Sequence, residues 1–96
     1  MRNTWIVTYD IADAKRLRHV FKCCKGYGMH LQYSVFQCDL DDREKVEFEK
    51  KLSSEMNLDE DQVLFIDLGP AEGRGDRVIH SLGLPYFAMD APCYAV

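Results

Sequence analysis

Hydrophobic spacing changes period several times along the chain, and each change marks an element. Thr4 to Asp10, "TWIVTYD", is rich in Trp, Ile, Val, Thr and Tyr and reads as a strand. From Asp13 the period lengthens. Leu17, Val20, Phe21 and Cys24 fall at i, i+3, i+4 and i+7, the apolar stripe of a helix. Gly26 and Gly28 supply its stop. Met29 to Leu40 returns to a β pattern, with Phe36, Cys38 and Leu40 alternating against Gln37 and Asp39. It is expected to hold two strands, a short one over residues 29–33 and a longer one from Val35. Asp41, Asp42 and Glu44 stand where a helix start favours acids. Phe48, Leu52 and Met56 then recur every four residues, with Val46 off the stripe, so this helix covers a sheet on one side only. Val63 to Leu68, "VLFIDL", is continuously apolar, as expected for a strand buried within a sheet. "GPAEGRG" is a loop by composition, and residues 77–82, "RVIHSL", are expected to form a further strand.

The order is β-α-β-β-α-β with an extra β. It predicts an α+β fold of ferredoxin-like type, a four-stranded antiparallel sheet with two helices on one face. Residues 1–83 make that domain, extra strand included, and residues 84–96 a tail broken by Pro85 and Pro92. A fifth strand has no place in the chain's own sheet and could extend the sheet of a second copy. The fold hosts many functions, so function must be sought in side chains.

Composition adds bounds. Of 96 residues, 47% are hydrophobic and 29% charged, as in an ordinary folded domain. No apolar run approaches the roughly 20 residues that span a bilayer, and no signal peptide is visible, so the expected location is cytoplasmic. Cys23, Cys24, Cys38 and Cys93 form no C-x-x-C, and the three histidines lack ligand spacing; reduced thiols and no zinc site are expected. The net charge of −4 argues against nucleic acid until its distribution is considered. Residues 1–30 carry six basic and two acidic side chains, whereas residues 39–61 carry four and ten. One basic face is therefore available for phosphates.

That basic third contains "TWIVTYDIADAKRLRH". A strand ending on Asp10 beside Lys15, Arg16, Arg18, His19 and Lys22 suits a magnesium ion next to a phosphate backbone. It equally suits a helix cap by Asp10 or Asp13 and a solvated helix face. One carboxylate per chain is a thin metal site, which two copies meeting across an axis would complete.

The segments "WIVTYDIAD", "KRLRHVFKCCKGYG", "LQYSVFQCDL" and "VLFIDLG" resemble, in order and spacing, the CRISPR-associated protein two family. The resemblance spans residues 4–83. It implies a ferredoxin-like homodimer whose last strand crosses to the partner's sheet. It implies nucleic-acid cleavage, of RNA or DNA, with Mg²⁺ held by Asp10. Tyr9, Arg16, Arg18, Ser34 and Phe36 then fall on positions near the nucleic acid. It further implies a bridging role between integrase dimers in CRISPR spacer acquisition. Cleavage is not universal in that family, so a non-catalytic DNA-bridging scaffold stays open, as does a toxin-type ribonuclease on the same fold. A small-molecule regulatory domain of this fold would leave the pairing of Asp10 with a basic helix unexplained.

Overall fold

The computed structural model describes residues 1–72 and 81–84. Its elements run β1 (Asn3–Asp10), α1 (Ala14–Lys25), β2 (Met29–Gln32), β3 (Val35–Leu40), α2 (Asp42–Glu55) and β4 (Gln62–Pro70). The sheet is antiparallel throughout, in the order β2-β3-β1-β4. This is the expected ferredoxin-like arrangement.

Local chemistry sets the helix starts. Asp13 caps α1, its carboxylate accepting from the Arg16 amide at 2.9 Å. Asp41 caps α2 in a capping box: it accepts from the Glu44 amide at 2.7 Å, and Glu44 accepts from the Asp41 amide at 2.9 Å. Each such cap is worth about 1 kcal/mol. At the end of α1, Gly28 lies so close to β3 that an added Cβ would collide with Cys38 Sγ and the Gln37 carbonyl. Only a residue without a side chain lets the chain turn that tightly into β2.

Both helices lie on one face of the sheet. Val7 and Tyr9 of β1, Phe36, Cys38 and Leu40 of β3, Val20, Phe21 and Cys24 of α1, and Phe48 and Leu52 of α2 form one core. Val46 stays off it, 53% exposed.

One expectation changes here. The apolar run in β4 is not buried on both faces. Val63 and Phe65 pack toward the helices, but Leu64 and Ile66 are each 47% exposed and Leu68 37%. The cause is the layering: both helices lie on the other face, and among the described residues nothing covers this one, with β4 at the end of the strand order. The expected extra strand falls outside the described residues, apart from Ser81 and Leu82, which form no strand. The same holds for the tail beyond Leu84.

Candidate nucleic-acid and metal site

β1 alternates, so its last two residues face opposite ways. Tyr9 turns to the helices and is 5% exposed; Asp10 is exposed. Among the described residues the Asp10 carboxylate has no hydrogen bond or ion pair, and Asp13, three positions on, is the helix cap. Asp10 is thus free for a ligand, and a hard oxygen donor of this kind suits Mg²⁺, which is usually held by one or two carboxylates with waters and phosphate oxygens. No group of three or more His, Cys, Asp and Glu converges among the described residues. Among the described residues, a single chain offers such an ion one side chain.

The other side chains expected here divide into three sets. Tyr9 and Phe36 belong to the core. Their rings stack with centroids 6.3 Å apart, and Phe36, fully buried, also meets Phe21 at 5.7 Å and His30 at 4.8 Å. The Tyr9 hydroxyl is buried with no hydrogen-bond partner among the described residues, and burial, with the nearby Cys24, pushes its pKa up. Both rings are enclosed among core residues. What they do is hold the end of β1 level with β3.

Ser34 is half-buried, and its carbonyl accepts from the Tyr9 amide at 3.2 Å. That bond ties the β2–β3 turn to the residue before Asp10. The turn itself is tight: Tyr33 has φ of 32°, and His30 Nε2 lies 2.7 Å from the Tyr33 carbonyl. A carbonyl only accepts, so Nε2 carries the hydrogen.

The arginines differ from each other. Arg18 is exposed and, like Lys15 and Lys22, makes no ion pair among the described residues. Arg16 is committed. Its Nε lies 2.9 Å from Asp61 Oδ2, and its Nη2 lies 3.2 Å from Asp61 Oδ1 and 2.9 Å from Glu60 Oε1. Asp61, whose side chain is shielded from solvent, also accepts from the Ala12 amide at 2.9 Å and the Asn57 amide at 2.8 Å. The Arg16 guanidinium first, and then the two amides, hold its carboxyl well below the usual carboxylate range. His19 pairs with Glu55 at 3.1 Å. The basic helix face is therefore partly matched by acids of the chain itself.

Asp61 is the residue that sequence reasoning missed. It anchors the Ala12 amide, two residues past Asp10, and so fixes the loop that carries the free carboxylate. In the sequence it is one acid among ten in the stretch 39–61, and only the β1–β4 pairing of Asp10 with Gln62 brings it beside α1.

The family model described as CRISPR associated protein Cas2 matches residues 3–73. The chain belongs to the Cas2 family. Among Cas2 relatives, the "CRISPR-associated endoribonuclease Cas2 1" of Rhodospirillum rubrum is 44% identical over 88 residues, 92% of this chain and 85% of the relative. The "CRISPR-associated endoribonuclease Cas2" of Geobacter sulfurreducens is 46% identical over 78 residues, 81% of this chain and 82% of the relative. Among solved structures, Streptococcus pyogenes Cas2 superposes with a TM-score of 0.66 at 33% identity, covering 80% of this chain and 99% of that one. No helix among the described residues is long and apolar enough to cross a membrane.

Proposed function

We propose that two copies of this chain form a Mg²⁺-dependent phosphodiesterase that acts on RNA or DNA in CRISPR adaptation. The observation that carries the reading is the free, exposed Asp10 carboxylate at the end of β1, in a sheet whose second face is uncovered among the described residues. The names of the relatives, endoribonucleases in both cases, support it. Leu64, Ile66 and Leu68 give that open face an apolar strip which a second copy would cover, bringing a second Asp10 to the same ion.

In this mechanism the two Asp10 carboxylates would hold the ion. When bound, Mg²⁺ supplies Lewis-acid polarisation of the phosphodiester and a more acidic water for attack at phosphorus. Arg18, with Lys15 and Lys22, takes the flanking phosphates and offsets charge developing there. Ser34 keeps the β2–β3 turn against the strand end, and Tyr9 and Phe36 hold that end from below. Arg16 acts through Asp61, fixing the loop after Asp10, and contacts phosphate only if that pair opens. The same dimer, working in the cytoplasm, bridges integrase dimers and binds the phosphates of incoming DNA.

The scaffold without cleavage is the second reading, favoured by Arg16 being held by acids of its own chain. Purified protein incubated with single-stranded RNA and with duplex DNA separates them. Mg²⁺-dependent cleavage that chelation stops and Asp10→Asn abolishes supports the phosphodiesterase. Binding of DNA and integrase with no cleavage by wild type leaves the scaffold.

A further inference from the structure

The exposed ring of Tyr33 has no role in the mechanism above, and three observations give it one. The first is position. The β1–β3 ladder runs Val7 with Phe36, then Thr8 with Val35, and one further bond joins Tyr9 to Ser34. The ladder stops there, and Tyr33 follows in the β2–β3 turn, one residue from Ser34 and so at the sheet end where β1 finishes on Asp10. The second is exposure: Tyr33 is 75% exposed, while Tyr9 and Phe36, the aromatics expected at the nucleic acid, are buried. The third is backbone strain. Tyr33 sits at φ 32°, where a residue with a Cβ is disfavoured and where glycine would fit without strain. His30, packed against Phe21 and Phe36, holds it there through its carbonyl. A large aromatic ring is kept at a glycine-favouring position, at the sheet end that carries the free carboxylate.

We propose that Tyr33 is a stacking platform for an unpaired base of the nucleic acid whose phosphodiester lies at Asp10. The proposal rests on the reading of Asp10 as part of a nucleic-acid site and adds a preference for single-stranded substrate. Stacking tolerates any base, so Tyr33 contributes affinity and register without sequence choice. His30 is a positioning residue, acting through the turn. Phosphates alone, taken by the α1 cations, would bind single and double strands alike; the ring distinguishes them.

The test is binding without cleavage. Single-stranded RNA and DNA oligonucleotides carrying 2-aminopurine, and a blunt duplex, are titrated in chelator with wild type, Tyr33→Phe, Tyr33→Trp, Tyr33→Ala and Tyr33→Gly. Expected are quenching of the fluorescent base by wild type, Phe and Trp, and a loss of single-strand affinity of roughly 5- to 150-fold in Ala and Gly. Duplex affinity stays within about twofold. Tyr33→Gly relieves the strained backbone, so it loses binding with an unchanged or raised Tm, separating the ring's role from the fold's. Single-strand binding by wild type that survives Tyr33→Gly and Tyr33→Ala overturns the stacking role and leaves the Asp10 site standing. A change of oligomeric state in Tyr33→Ala assigns the ring to an interface instead and also overturns it. Wild type that binds none of the three ligands overturns both.

Discussion

Arg16 and Asp61 face each other as a two-pronged pair, Nε to Oδ2 at 2.9 Å and Nη2 to Oδ1 at 3.2 Å. It joins the first turn of α1 to the residue preceding β4 and, through the Ala12 amide, fixes the loop after Asp10. The Asp61 carboxyl is held well below its ordinary value of 3.8, so its contribution to stability is full above that value. As pH falls from 3.8 toward the lower folded pKa, the unfolded chain takes up a proton first and that contribution is lost. Acid titration of Tm should therefore fall off below about pH 4 in wild type and more shallowly in Asp61→Asn. Equal acid slopes in the two proteins would contradict this role.

The same pair predicts coupling. Asp61→Ala and Arg16→Ala should each lower Tm, on the order of 5–10 °C, since either leaves polar groups without partners. The double variant should be little worse than the worse single one, because the shared interaction is lost only once. Additive losses would mean that the two side chains act independently.

Tyr9 tests what lies beneath the site. Its hydroxyl is buried without a partner, so Tyr9→Phe removes an unsatisfied group and should leave stability unchanged or raise it by about 1 kcal/mol. Nucleic-acid affinity should not change. A clear drop in affinity would mean the ring leaves the core to meet the ligand.

Phe36 makes the complementary case. It is fully buried among Tyr9, Phe21 and His30, and Phe36→Ala should cost about 3–5 kcal/mol in denaturant unfolding. Phe36→Leu, closer in volume, should lose far less and keep binding. Weak binding by a well-folded Phe36→Leu would restore the direct contact expected from sequence.

How far the sequence goes can be seen in individual residues. Asp13 is legible as one of two candidate caps and Asp41 as part of an acidic helix start, and the helix stripes mark which faces pack, because those signals are local. β4 is not legible in the same way: "VLFIDL" reads the same whether one sheet face is covered or both, and Leu64 and Ile66 are exposed because both helices lie on the other face. Tyr9 and Phe36 carry a recognisable motif, yet which way an alternating strand turns depends on the layer it packs against. Arg16 reads as a free cation because its partner lies 45 residues further on. The fold is thus readable, while which aspartate caps α1 and which partners the surrounding charges take depend on local geometry and on contacts between distant segments.

The open face of β4 gives a prediction about assembly. Ile66→Lys, on the exposed side of the edge strand, should leave the fold intact and shift sedimentation toward a single chain. If that surface is free in solution, the substitution will not change the sedimentation coefficient.

The central claim is that Asp10 is half of a site that two copies complete. Mixed dimers test it most directly. Wild-type and Asp10→Asn subunits are co-refolded in varied proportions, and Mg²⁺-dependent cleavage of single-stranded RNA is measured. If both carboxylates are required, activity follows the square of the wild-type fraction, about a quarter of full activity at equal proportions. Activity that falls in direct proportion, to about half at that point, would mean each chain holds its ion alone and would contradict the account.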